Sequence, residues 1–131
     1  MGYLLDTSVA IHLRDGDQAI KQHLLELDES PFLSAVTRVE LEGGIYAKPE
    51  FSDRRRAGVQ ALLTMLPVLD FDFEMAEAYG RILKTTGFSK RKIIDRMIAA
   101  TALAEGLTVI TVKARDFEDV PELDIIEWEP S

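Results

Sequence analysis

Apolar residues recur along this chain in two rhythms. Short unbroken runs at residues 2–5 (GYLL), 31–35 (PFLSA), 67–71 (PVLDF), 107–112 (LTVITV) and 124–128 (DIIEW) are too brief for helices and predict buried strands. Between them, apolar positions recur every three or four residues. Ile20, Leu24, Leu25 and Leu27 form one such stripe, and Val59, Leu62, Leu63 and Leu66 another. The pattern predicts helices over 7–14, 18–27, 37–48, 54–66, 73–86 and 93–105. The Asp15-Gly16-Asp17 turn, Pro49, Gly87 and Gly106 supply stops. Strands alternating with helices indicate an α/β fold with a mainly parallel central sheet flanked by helices. In such sheets ligands bind beyond the carboxyl ends of the strands. The positions to weigh are therefore Asp6, the turn at 37–40, Asp70 and the segment after Thr111.

Length and composition narrow this picture. The 131 residues suit one domain, spanning 1–131. No apolar run approaches the length of a membrane span, and the N-terminus lacks the basic start of a signal peptide, so a cytoplasmic protein is expected. The absence of cysteine excludes a thiolate metal site and a cysteine nucleophile. The net charge of −8 argues against binding nucleic acid by bulk electrostatics. That charge is uneven, however. Residues 116–129 hold seven acids and no base, whereas residues 84–96 hold five bases and a single acid, Asp95.

Three carboxylates are out of place in ordinary elements. Asp6 ends the first strand; its plain reading is a helix N-cap. Glu40 fits a capping box begun by Thr37. Gly43 and Gly44 follow it inside a helix, where each costs about 1 kcal/mol relative to alanine, so something is expected to approach there closely. Asp95 shares its helical face with Ala99, Ala102 and Leu103, which turns it towards the interior. A buried carboxylate needs a partner or a cation. The plain partner is Arg96 or a lysine of the preceding loop. The alternative is metal binding, and three oxygen ligands from separate segments suit Mg²⁺ or Mn²⁺ and phosphoryl chemistry. His12 and His23 stand in no paired ligand motif. Phe71, Phe73, Tyr79 and Trp128 are expected in the core. Arg54-Arg55-Arg56 reads as a solvated face.

Together YLLDTS (3–8), SAVTRVELEGGI (34–45), IIDRMIAATALAEG (93–106) and LTVITVKARDF (107–117) resemble a PIN domain of the VapC toxin type, over nearly the whole chain. The resemblance implies one PIN-like nuclease domain that cleaves RNA with Mg²⁺ or Mn²⁺. It implies that Asp6, Glu40 and Asp95 are catalytic, with Asp6 and Asp95 holding metal and Glu40 holding metal or orienting the attacking water; Asp116, just before Phe117, is a further candidate ligand. It also implies that Thr7 and Thr111 supply hydroxyls near the site, and that the chain forms a homodimer inhibited by a VapB-type antitoxin; with Arg96 and Lys113 these threonines are the candidate substrate-binding residues. Many members carry Asp or Asn where this chain has Lys113, which leads us to expect one well-held ion and a weaker or absent second. Two alternatives stay open. One is a receiver-like signalling domain built on Asp6, Asp70, Thr111 and Lys113. The other is a catalytically impaired PIN domain kept for binding.

Overall fold

Leu4 and Leu5 are both fully buried, yet they belong to different cores. Successive strand side chains point to opposite faces, so a strand apolar at every position must be covered on both sides. In the computed structural model, which describes residues 2–131, this strand is β1 (Gly2–Leu5). It is followed by α1 (Thr7–Arg14), α2 (Gln18–Leu25), β2 (Leu33–Ser34), α3 (Ala35–Ala47), α4 (Ser52–Met65), β3 (Val68–Leu69), α5 (Phe73–Thr86), α6 (Ile93–Glu105), β4 (Leu107–Thr111) and β5 (Ile125–Glu127).

All strand pairs are parallel. β1 pairs with β4 with Leu5 opposite Ile110, and β5 extends β4 at the edge. β2 pairs with β3. A parallel bridge between Leu4 and Phe32 joins the two sets, with the Leu5 N–H donating to the Phe32 carbonyl at 3.0 Å. The resulting order, β3-β2-β1-β4-β5, puts β1 at the centre. Leu5, Ile110, Leu33 and Trp128 pack with side chains of α1 to α4 on one face. Leu4, Val109 and Phe117 pack with α5 and α6 on the other, where Ala78, Ala99 and Ala102 let the elements approach closely. Among the described residues, no helix is long and apolar enough to cross a membrane.

Several expectations shift. The strand expected at 31–35 contracts to Leu33–Ser34, because the Ser34 hydroxyl accepts the Val36 N–H at 3.0 Å and starts α3 two residues early. The run at 67–71 contracts to Val68–Leu69, because Asp72 caps α5 through the Met75 N–H at 3.0 Å. α2 ends at Leu25, although Leu27 still packs against the core. Phe73 is 75% exposed, not core, whereas Trp128 is buried and stacks on His23 with ring centroids 5.2 Å apart. The arginine run is only partly a solvated face: Arg54 and Arg55 lie over the Phe51 ring, Arg56 lies over Tyr46, and Arg55 donates to the Gly44 carbonyl at 2.7 Å. The close approach expected at the paired glycines occurs at one of them. A Cβ on Gly44 would meet the Arg14 guanidinium at 3.0 Å, while one on Gly43 would meet nothing within 4 Å.

Candidate active site

The register of β1 on β4 decides what Asp6 meets. Leu5 lies opposite Ile110, and the Asp6 N–H donates to the Ile110 carbonyl at 2.8 Å, so the next residue of β4, Thr111, comes beside the carboxylate. Asp6 is 5% exposed and accepts three hydrogen bonds of 2.8 Å. The Thr7 N–H donates to Oδ1; the hydroxyls of Ser8 and Thr111 donate to Oδ2. Asp6 is thus the N-cap of α1, as its plain reading holds, and is oriented by groups from two elements as well. Burial pushes its carboxyl above the usual range, against these donors, and Asp116 pushes in the same direction.

Ser8 is the residue that sequence reasoning passed over. Its hydroxyl donates to Asp6 and accepts the Val112 N–H at 3.3 Å, tying α1 to the end of β4. The signal was a hydroxyl two residues after a capping aspartate, a spacing common enough to look like turn chemistry. Thr7 and Thr111, expected to face substrate, are both turned inward. Thr7 Oγ1 lies 2.9 Å from Thr37 Oγ1, and fully buried Thr111 spends its hydroxyl on Asp6.

Asp95 is half-buried in the first turn of α6. Its carboxyl is pushed up to about 6, first by burial and then by the negative charges of Asp6, Asp116 and Glu40, with Lys92 opposing. Carboxylates from the end of β1, from α3 and from the 3₁₀ turn Ala114–Asp116 therefore act on Asp95 of α6 at one end of the sheet. Glu40 is exposed and is not part of a capping box, since Ser34 caps α3. The neighbouring acid, Glu42, is committed to Arg38 at 2.9 Å.

The basic residues divide differently from expectation. Arg96, expected to face substrate, is instead 3% exposed and donates to both oxygens of Asp119, at 2.7 and 2.8 Å. It is not the partner of Asp95 either, although it stands next to it in the chain. Lys92 is the base that lowers Asp95, and its Nζ also lies 3.5 Å from Asp119. The Lys113 side chain is exposed, and its backbone N–H donates to Thr111 Oγ1 at 3.1 Å.

The donor chemistry suits a hard divalent cation: the four acids offer only oxygen, and the negative charges acting on Asp95 favour a cation among them. Among the described residues, no three acidic or histidine side chains are already drawn together closely enough to hold an ion. Binding would therefore have to gather them.

The family model for the PIN domain matches residues 3–123. Among curated proteins, the chain is 36% identical over 145 residues to VapC ribonuclease Y4jK of Sinorhizobium fredii, covering 98% of this chain and 99% of that one. It is 29% identical over 129 residues to the tRNA(fMet)-specific endonuclease VapC of Shigella flexneri, covering 96% and 97%. Among solved structures, DNA-bound VapBC from Salmonella typhimurium superposes with a TM-score of 0.86 at 28% identity, covering 98% and 99%. VapBC2 from Rickettsia felis, at 22% identity, shares the fold with a TM-score of 0.87.

Proposed function

Because this chain belongs to the PIN-domain family, we propose that it is a VapC-type toxin that hydrolyses RNA phosphodiesters at the Asp6–Glu40–Asp95 site. The observation that carries the reading is the half-buried carboxylate of Asp95 on α6, with the negative charges of Asp6, Asp116 and Glu40 acting on it, an arrangement that favours a bound cation. The full-length similarity to proteins named as VapC ribonucleases supports the same reaction class.

Asp6 and Asp95 are the main metal ligands in this reading, with Glu40 and Asp116 completing the set. A divalent ion bound there would neutralise the carboxylates and polarise the scissile phosphate. Asp6 is preorganised by Thr7, Ser8 and Thr111, so its oxygens need little rearrangement. Glu40 makes no ion pair among the described residues, and in this reading its exposed carboxylate would orient the attacking water and take its proton as the phosphorus–oxygen ester bond breaks. Lys92, at the edge of the acids, can contact a substrate phosphate.

The solved VapBC relatives support a VapB-type antitoxin as inhibitor and partner, and the family resemblance supports a homodimer. An RNA substrate fits action in the cytoplasm. The catalytically impaired alternative rested on Lys113. Its weight falls because the Lys113 side chain is exposed while Asp116 acts on both Asp6 and Asp95. The receiver alternative falls with the family assignment.

The test is cleavage of cellular RNA by purified protein with Mn²⁺, paired with induced expression in cells. Asp6→Asn and Asp95→Asn each abolish cleavage and growth arrest while the protein stays folded. Toxicity that survives both substitutions refutes the reading. Mapping the new 5′ ends identifies the RNA that is cut.

A further inference from the structure

The acidic site faces a polyanion, and the chain as a whole carries a net charge of −8. Affinity for the substrate strand must therefore come from a local feature beside the site. One segment meets that need. α5 stops at Gly87, which takes φ +83, and α6 begins at Ile93. The five residues between are Phe88, Ser89, Lys90, Arg91 and Lys92. Lys92 lies with its Nζ 3.5 Å from Asp119, and its charge acts on Asp95. Phe88 is 70% exposed and lies four residues from Lys92, a reach of at most about 14 Å. Lys84, Lys90 and Arg91 are exposed and make no ion pair among the described residues.

Charge separates Phe88 from the other exposed aromatic side chains. Phe73 stands between Asp72 and Glu74, which would repel a phosphate backbone. Tyr46 is partly covered by the Arg56 guanidinium. Among the described residues, Phe88 alone combines an open ring with bases on the same loop that make no ion pair, the pairing of stacking surface and phosphate contact by which proteins hold single strands.

We propose that Phe88 is a stacking platform for an unpaired base of a single-stranded RNA segment, with Lys90 and Arg91 contacting the flanking phosphates. This rests on the ribonuclease reading of the acidic site and adds to it how the strand is held. Bases of any identity present a π face, so this contact selects for unpaired RNA rather than for sequence.

The test uses the full chain carrying Asp95→Asn to prevent cleavage, and anisotropy of a labelled single-stranded RNA, of an RNA of the same length with abasic positions, and of the duplex. Phe88→Ala weakens the base-bearing strand by about 5- to 100-fold and leaves the abasic strand unchanged. Phe88→Trp retains the affinity. Lys90→Ala and Arg91→Ala weaken both strands, and each lowers the salt slope by about 1. The inference is overturned if Phe88→Ala leaves the base-bearing strand unchanged, weakens the abasic strand or the duplex equally, or changes only the mass of the assembly in solution. The two readings fail separately. A native chain that cleaves no RNA with Mn²⁺ removes the ribonuclease reading. A native chain that cleaves, and is matched in KM and kcat by Phe88→Ala, removes only this inference.

Discussion

The Arg96 guanidinium grips Asp119 through two hydrogen bonds, at 2.7 and 2.8 Å, from a side chain that is 3% exposed. Arg96 adjoins Asp95 on α6, and Asp119 lies three residues beyond Asp116. The pair therefore sets how the turn carrying Asp116 sits against the helix carrying Asp95. Asp119→Ala leaves a buried guanidinium without its acceptor and costs about 2 kcal/mol, read as a lower urea midpoint. It also weakens Mn²⁺ binding by calorimetry, because Asp116 loses its anchor. Unchanged Mn²⁺ affinity with lowered stability would make the pair structural only.

The same pair and Asp95 give opposite pH dependences in separate windows. Arg96 holds Asp119 at about 2, so its stabilisation is present above the unfolded value near 4 and is lost as pH falls towards 2. Asp95 is raised to about 6, so the folded protein binds that proton more tightly than the unfolded chain does. Its contribution is most favourable below about 4 and is lost as pH rises through 6. With metal removed by chelator, Asp95→Asn should raise the thermal midpoint by a few degrees at pH 7.5 and flatten its fall between pH 4 and 6. A midpoint lowered at pH 7.5 would contradict the repulsion.

Two threonines expected to act alike should behave differently. Thr111→Val removes a donor from Asp6 Oδ2, raising that carboxyl further. We expect cleavage at pH 7 to drop about tenfold or more, with the acid limb of the pH–rate profile moving upward. Thr7→Val breaks only the hydroxyl contact with Thr37. It should cost about 1–2 kcal/mol of stability and leave kcat within about threefold. Equal loss of kcat in the two variants would show that Thr7 serves the chemistry.

Lys113 and Asp116 separate the metal expectations. Asp116→Asn should weaken Mn²⁺ binding about tenfold or more. Lys113→Ala should leave the tight ion unchanged, since the lysine side chain is exposed. Calorimetry should find one well-held ion with a weaker or absent second. Two tight ions in the native chain would refute that expectation.

Helical glycines offer a stability test away from the site. A Cβ at Gly58 would stand 2.5 Å from the Arg14 carbonyl oxygen, so Gly58→Ala must displace α1 from α4 and destabilise. Gly43 has open space and lies inside α3, so Gly43→Ala should stabilise by about 1 kcal/mol. Denaturant midpoints moving in the same direction would contradict the difference in packing.

Local chemistry was legible from the residues. α5 and α6 run over the expected ranges, because Gly87 and Gly106, both at positive φ, stop them within one turn. The apolar runs located the strands, although Ser34 and Asp72 cut two of them short by starting the next helix. The acids at 6 and 95 could be singled out, because a carboxylate at a strand end or on a small apolar helix face is costly wherever the chain runs, whereas Glu40 stood out only by the two glycines that follow it in the helix. Tertiary structure alone decided the rest. The order β3-β2-β1-β4-β5 and the meeting of Asp6 with Thr111, 105 residues away, depend on strand register. The turning of Arg96 towards Asp119 depends on which acceptor the fold brings within reach of the guanidinium. Caps and stops are settled by hydrogen bonds within a few residues, whereas a side chain's partner across the sheet is settled only when the strands pair.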